Sequence, residues 1–287
     1  MPATQQYVAQ VIANYQRAAE ANEETAARLG NVVELSPDDG DEILITADLH
    51  GHRRNFNAIR RLAALPDHPR RHLILQEVCH GGPTYANGGC MSHTLLEDVA
   101  QLKATFPERV HFLLSNHELA ELTDYPILKA GKMLNLMFRM GMQYTYGASA
   151  EEVRRAMHGF IRSCPLAVRL PGGLFVCHSL PERTDARGFD VGIFQRTLDV
   201  ADLHEHGPVF QLVWGRDYRE ENARAFARSV RARVLICGHE PCPEGYMVPN
   251  PHQIILDCCS EPACYLLLPI ARDQWTQEEL VSRIQKL

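Results

Sequence analysis

The chain has 287 residues, 45% of them hydrophobic and 22% charged, with a formal net charge of −6 at pH 7. This length buries a substantial core in one large domain or two small ones, and the acidic balance argues against a general nucleic-acid or anionic-membrane binder. No apolar run approaches the roughly 20 residues of a membrane helix. The polar opening "MPATQQYVAQVIANYQRAAEANEE" has no apolar signal segment, and nine cysteines, an odd number, point to reduced thiols and a cytoplasmic protein.

In chain order, residues 4–29 read as a helix of mixed polarity, an N-terminal helical extension over 1–30 ahead of a single domain over 31–287. "NVVEL" and "EILITAD" read as strands around the turn "SPDDGD". "RRNFNAIRRLAAL" has apolar residues at helical spacing. "HLILQEV" is a buried strand, "HTLLEDVAQLKATF" a helix and "RVHFLLS" a strand. This β-α-β-α-β order predicts an α/β layered fold with part of the sheet parallel. Residues 119–163 read as helical and Met-rich, and "LAVRLPGGLFVCHS" as a hairpin on its Gly-Gly turn. Helical stretches follow near 190–200 and 218–231, then the strands "RVLICGH", "HQIILDC" and "ACYLLLP", with "TQEELVSRIQKL" as a closing helix.

Five apolar strands run out into side chains able to hold a metal: Asp48 and His50, Glu77 and His80, Asn116 and His117, His178, and His239. Sites in open α/β sheets are built at the carboxyl ends of strands. One histidine at a strand end is usually an ordinary hydrogen-bonding residue, and "SNHE" alone reads equally as a polar helix cap. Five such ends in one chain argue for a site. Imidazole and carboxylate together suit divalent Zn, Fe or Mn, and the set exceeds the three or four ligands of a lone zinc.

With these residues in order, the chain resembles the calcineurin-like metallophosphoesterases, specifically the PPP-type phosphoprotein phosphatases and their bacterial relatives, including diadenosine tetraphosphatases. That family's GDxHG, GDxxDRG, GNHE, His-containing strand end and late GH are matched by ADLHG (47–51), QEVCHGG (76–82), SNHE (115–118), CHSL (177–180) and CGHE (237–240). "IILDCC" resembles the family's LDTG strand, and the N-terminal helix lies outside the resemblance. The resemblance implies a mixed β-sheet sandwich flanked by helices (α-β-β-α). It also implies a phosphatase that uses a dinuclear metal-activated hydroxide, with two divalent ions, Mn²⁺ before Fe or Zn. It implies that Asp48 and His50 bind the first metal, that Glu77 bridges, and that Asn116, His178 and His239 bind the second. His117 would be a general acid free of metal, Glu118 would position its neighbours, and Arg216 in "VWGRD" would grip phosphate. The substrate would be a phosphorylated small molecule, nucleotide or phosphoprotein.

The second motif departs from the family. Glu77 replaces an Asp, His80 replaces the Asp that orients the general acid and is the candidate catalytic residue there, and Gly81 replaces an arginine. Three readings follow: an active enzyme with a reshaped phosphate pocket, in which His52, Arg53, Arg54 or His80 replaces the arginine; a phosphodiesterase or nucleotide pyrophosphatase; or a catalytically weakened binding or regulatory protein. Cys237, Cys242, Cys258, Cys259 and Cys264 match no C-x-x-C spacing and read as buried thiols. The Met-rich helix reads as core, and His204 and His206 as loop residues.

Overall fold

A computed structural model describes residues 3–287. The strand Glu42–Asp48 alternates as the pleat requires. Ile43, Ile45 and Ala47 face a second sheet, while Leu44 points the other way into a helix-packed core. Strand Val234–Cys237 repeats this in the facing sheet, with Val234 and Ile236 inward and Leu235 and Cys237 outward. Two sheets whose strands are apolar on both faces demand helices outside each, giving the layers helix, sheet, sheet, helix.

The first sheet runs in the order Ile284–Lys286, Cys264–Pro269, Glu42–Asp48, Arg71–Gln76, Val110–Leu113, its last three strands parallel. The second runs Arg28–Leu29, Val32–Glu34, Ala167–Leu170, Leu174–Cys177, Val234–Cys237, Gln253–Leu256, Tyr246–Asn250. Leu174–Cys177, Val234–Cys237 and Gln253–Leu256 are parallel there. The sheets meet at their carboxyl ends, where Asp48 bridges to Asp257 and its carbonyl accepts from the Cys258 amide at 3.1 Å.

Helix Gln5–Glu24 buries Val8, Val11, Tyr15 and Ala18 in the same core as helices Ser92–Thr105 and Ala150–Ser163, Tyr15 meeting Phe160 at 5.9 Å. The hairpin expected around Gly172 and Gly173 is present. Two expectations are corrected, and one strand was not expected. The region 119–163 is not one helical run: a small hairpin, Leu128–Lys129 with Lys132–Met133, separates helix Asn116–Thr123 from Leu134–Tyr146. The C-terminal helix stops after Gln277–Val281, and Ile284–Lys286 instead pairs with Cys264–Leu266 as an edge strand. Strand Tyr246–Asn250 was hidden by Pro249, which a sheet accepts at the edge where this strand lies. Among the described residues, no helix is long and apolar enough to cross a membrane.

Candidate active site

All five expected strand ends come together. Glu77 sits just past Arg71–Gln76, and its carbonyl accepts from the amides of Leu49 (2.8 Å) and His50 (3.0 Å), tying the first two loops together. Glu118, in the first turn of the next helix, takes the amides of Val78 (2.9 Å) and Cys79 (2.8 Å) on one oxygen and the Ser115 hydroxyl on the other. The pinned loops carry strain: His50, Glu77, His80 and His239 all have positive φ, a backbone state that clusters at functional sites. Two glycines permit the approach. A Cβ on Gly238 would lie 2.2 Å from Asp48 Oδ1, and one on Gly81 (φ +122°) 2.6 Å from the His50 carbonyl oxygen.

Hydrogen bonds on the far side of each ring fix which nitrogen faces the site. Gln76 donates its amide to the Thr46 carbonyl (3.2 Å), which turns its oxygen toward His178 Nδ1 (3.3 Å). His178 therefore carries its proton on Nδ1 and leaves Nε2 bare. His50 Nδ1 lies against two acceptors, the carbonyls of Cys79 (3.2 Å) and His80 (3.1 Å), so its Nε2 is bare toward Glu77 Oε2 at 3.3 Å. Around His178 Nε2 stand Asn116 Oδ1 at 2.8 Å, His239 Nδ1 at 3.2 Å and Glu77 Oε1 at 3.7 Å, with Asn116 Oδ1 3.1 Å from His239 Nδ1. Bonds of about 2.0–2.1 Å place tetrahedral ligand atoms about 3.3–3.4 Å apart, close to these separations.

Two groups able to hold a cation emerge, His50–Glu77–His117 and Glu77–His178–His239, and they share Glu77. Glu77 Oε1 is buried with no hydrogen-bond partner, an arrangement that is costly unless something binds there. Burial pushes the carboxyls of Asp48 and Glu77 up, Glu77 to about 8, and each feels the other. Among the described residues no Lys or Arg pairs with either one; their ion-pair partners within 4.0 Å are imidazoles. Burial, with neighbouring histidines, holds His117 and His178 well below the usual imidazole range, and burial with the Arg216 charge takes His239 down to about 3. Imidazole nitrogens and carboxyl oxygens with no Lys or Arg partner form a donor set suited to divalent cations.

Two placements differ in detail from the expected ligand sets. Asp48 is present and buried, but its oxygens accept from the His239 amide (3.0 and 2.8 Å), and it lies outside both groups. His117, expected free of metal, lies within the first group, its Nε2 4.0 Å from Glu77 Oε1. Arg216 ion-pairs with Glu240, which also accepts from Tyr218 at 2.7 Å. The proposed stand-ins for the lost arginine are engaged elsewhere: Arg53 with Asp98 and Thr94, Arg54 with Glu261, and His52 as a cap on the Asn55 amide. All nine cysteines are free, eight of them buried, and none joins a group able to hold a metal. The Met-rich helix buries Phe138 and Met142. His204 and His206 are exposed, and His206 lines a groove that also includes Trp214. The sequence reading missed Gln76, whose amide sets the His178 tautomer, and Glu121, one turn after His117 in "NHELAEL", where i, i+4 spacing on a helix was the available signal.

The calcineurin-like phosphoesterase family model matches residues 42–243, spanning every strand end of the site. The chain belongs to the calcineurin-like phosphoesterase family. It is a phosphoester hydrolase, and its substrates carry phosphate. Among solved structures it is similar to a protein serine/threonine phosphatase from Saccharomyces cerevisiae with similarity to human phosphatase PP5, at 14% identity and a TM-score of 0.70, covering 99% of this chain and 89% of that one. It is also similar to a cold-active protein-tyrosine phosphatase of a psychrophilic Shewanella sp., at 11% identity and a TM-score of 0.53, covering 88% and 80%. At these identities the likeness shows the shared fold, a mixed α/β sandwich flanked by helices. No curated protein matches the chain in sequence.

Proposed function

We propose that this phosphoesterase is a dinuclear metal-dependent phosphatase of phosphomonoesters. The observation that carries the reading is the pair of donor groups sharing Glu77, a buried carboxyl whose Oε1 has no hydrogen-bond partner. Asp48 and His50 would hold one cation, Asp48 by turning an oxygen from the His239 amide, Asn116, His178 and His239 would hold the other, and Glu77 would serve both. Mn²⁺ is the leading candidate, with Fe and Zn also suited to these donors. Two such ions supply positive charge for the phosphoryl oxygens and a water acidic enough to attack phosphorus near neutral pH.

The protein groups supply the rest. Gln76 and the carbonyls of Cys79 and His80 hold His178 and His50 with bare nitrogens facing inward. His117, at the mouth of the site, donates a proton to the departing oxygen, a step typically worth about 10²–10⁴ in rate. Arg216, whose charge reaches Glu77, His178 and His239, exchanges Glu240 for a phosphoryl oxygen when substrate arrives. Nine free thiols support a reducing, cytoplasmic setting.

A second reading, hydrolysis of a phosphodiester or a nucleotide, is favoured by one observation. Gly81 has no room for a side chain, and Arg53 and Arg54 are turned away, so a dianionic phosphate finds fewer fixed cations than the family motif provides. Hydrolysis of p-nitrophenyl phosphate beside bis-p-nitrophenyl phosphate, with added Mn²⁺, decides between the two. Mn²⁺-dependent turnover of the monoester above the diester is the expected result, with hydrolysis of phenyl phosphate, whose leaving group needs a proton, collapsing in His117→Ala. Preference for the diester transfers the assignment to a phosphodiesterase, and no turnover of either ester with Mn²⁺, Fe²⁺ or Zn²⁺ refutes both.

A further inference from the structure

His117 and Glu121 lie four residues apart on helix Asn116–Thr123, so both side chains project from one face. Between them stands the ring of His80. Its Nδ1 is 2.9 Å from His117 Nδ1, and its Nε2 is 2.7 Å from Glu121 Oε1. The side chains of His80 and Glu121 have no solvent exposure. The His80 ring is further held by the edge of Phe138, centroids 5.6 Å apart, and its backbone amide donates to Ser92 Oγ at 3.0 Å. Glu121 Oε2 has no partner, so this buried carboxylate is engaged by the His80 ring alone.

Resting on the phosphatase reading above, we propose that Glu121 is a positioning residue acting through His80. The Glu121–His80 pair sets the tautomer and orientation of His117, doing with two side chains what one carboxylate would do at position 80. The proton logic runs outward from the carboxylate. Glu121 accepts, so His80 carries its proton on Nε2 and offers the lone pair of Nδ1. Two ring nitrogens 2.9 Å apart need one proton between them, so His117 is the donor there, through Nδ1–H. His117 is then left with Nε2, the nitrogen facing Glu77 across the site, as the atom that exchanges a proton with substrate. In the chemical step the bond from phosphorus to the leaving oxygen breaks and its electron pair goes to that oxygen. The oxygen takes the Nε2 proton of His117 from the doubly protonated, cationic ring, and the N–H electron pair stays on that ring, which is left neutral with its proton on Nδ1. The attacking water forms the new P–O bond and gives up its proton to solvent, from which His117 is reprotonated. An orienting carboxylate behind a catalytic imidazole is the same logic as in acyl-transfer triads, here lengthened by one ring.

The test is Glu121→Gln in the full, Mn²⁺-loaded chain, assayed with phenyl phosphate and with p-nitrophenyl phosphate, whose leaving group needs far less help from a proton donor. Loss of about 10²-fold in kcat/KM on phenyl phosphate with at most about threefold on p-nitrophenyl phosphate is the expected result. Equal losses on both esters would mark Glu121 as merely structural, and no loss on either would also overturn the proposal. If the variant does not fold, ¹⁵N chemical shifts of the histidine rings in the Zn²⁺-loaded wild-type chain decide. The proposal requires the proton of His80 on Nε2 and a proton on His117 Nδ1, and a His80 ring protonated only at Nδ1 overturns it. A wild-type chain inactive on both esters would instead remove the phosphatase reading itself, and this proposal with it.

Discussion

Gly81 occupies the place where the family motif carries an arginine, and its surroundings explain why no side chain stands there. Its φ is +122°, and an added Cβ would meet the His50 carbonyl oxygen at 2.6 Å, so the loops after two neighbouring strands are in backbone contact. Reinstating the arginine should therefore harm this protein. Gly81→Arg is expected to destabilise by about 1–3 kcal/mol or more through backbone strain alone, to lower Tm by several degrees, and to reduce phosphatase activity. Thermal melts beside the p-nitrophenyl phosphate assay check this, and a stable variant with raised activity would contradict it. The candidate ligand residues were legible in the sequence because each lies at the end of an apolar strand or within three positions of it. The partners of those residues were not. Gln76 is one of several polar residues beside a strand end until Thr46 and His178 are seen on either side of it, and Glu121 is a routine helix residue until the His80 ring is found between it and His117.

Helix Gln5–Glu24 lay outside the family motifs, yet it contributes Val8, Val11, Tyr15 and Ala18 to the main core. Tyr15→Ala is expected to cost about 3–5 kcal/mol, and deleting residues 1–24 is expected to give an aggregating chain rather than a smaller folded enzyme. Urea titration and size-exclusion chromatography report these two outcomes. A second element-scale prediction concerns Lys103 on helix Ser92–Thr105, buried with its ammonium on Thr25 Oγ1 (2.8 Å) and the Pro107 carbonyl. Burial takes its pKa from 10.5 down to about 8. Between those values the folded chain binds fewer protons than the unfolded chain, so this group's contribution to stability rises with pH. The stability of wild type relative to Lys103→Met should be flat below pH 8 and should improve by about 3 kcal/mol on approaching pH 10.5. Chemical denaturation of both proteins across that range measures the difference, in which titrations common to the two cancel. Elements were legible where a period was sustained, as in Glu42–Asp48 and Arg53–Ala63. They were not where tertiary pairing decided. Ile284–Lys286 is a strand because Cys264–Leu266 offers an open sheet edge, which three residues of sequence do not encode.

For the whole molecule, the two sheets bring their strand ends together at one edge, and several costly features gather there: four strained non-glycine residues, two buried carboxyls without a Lys or Arg partner, and an unpartnered oxygen on Glu77. Such a site is stabilised by what it binds. Stripping metal with a chelator should lower stability, by about 2.7 kcal/mol for each ion held at 100 times its Kd, with recovery on adding Mn²⁺. Differential scanning calorimetry with and without chelator reads this directly. The fold class and the location of the site were legible because β-α-β order and polar strand ends are local patterns. The sharing of Glu77 between two donor groups was expected only through the family resemblance, because it depends on distances between strands that lie far apart in the chain.

The most direct test of the account is the metal content of the chain, measured by mass spectrometry of the metal-loaded protein alongside Mn²⁺-dependent turnover of p-nitrophenyl phosphate, for wild type and Glu77→Gln. Two ions per wild-type chain are expected, falling to one or fewer in the variant, with turnover reduced by about 10²-fold or more. A single ion in wild type, or a variant that keeps both its ions and its turnover, would contradict a centre built around Glu77.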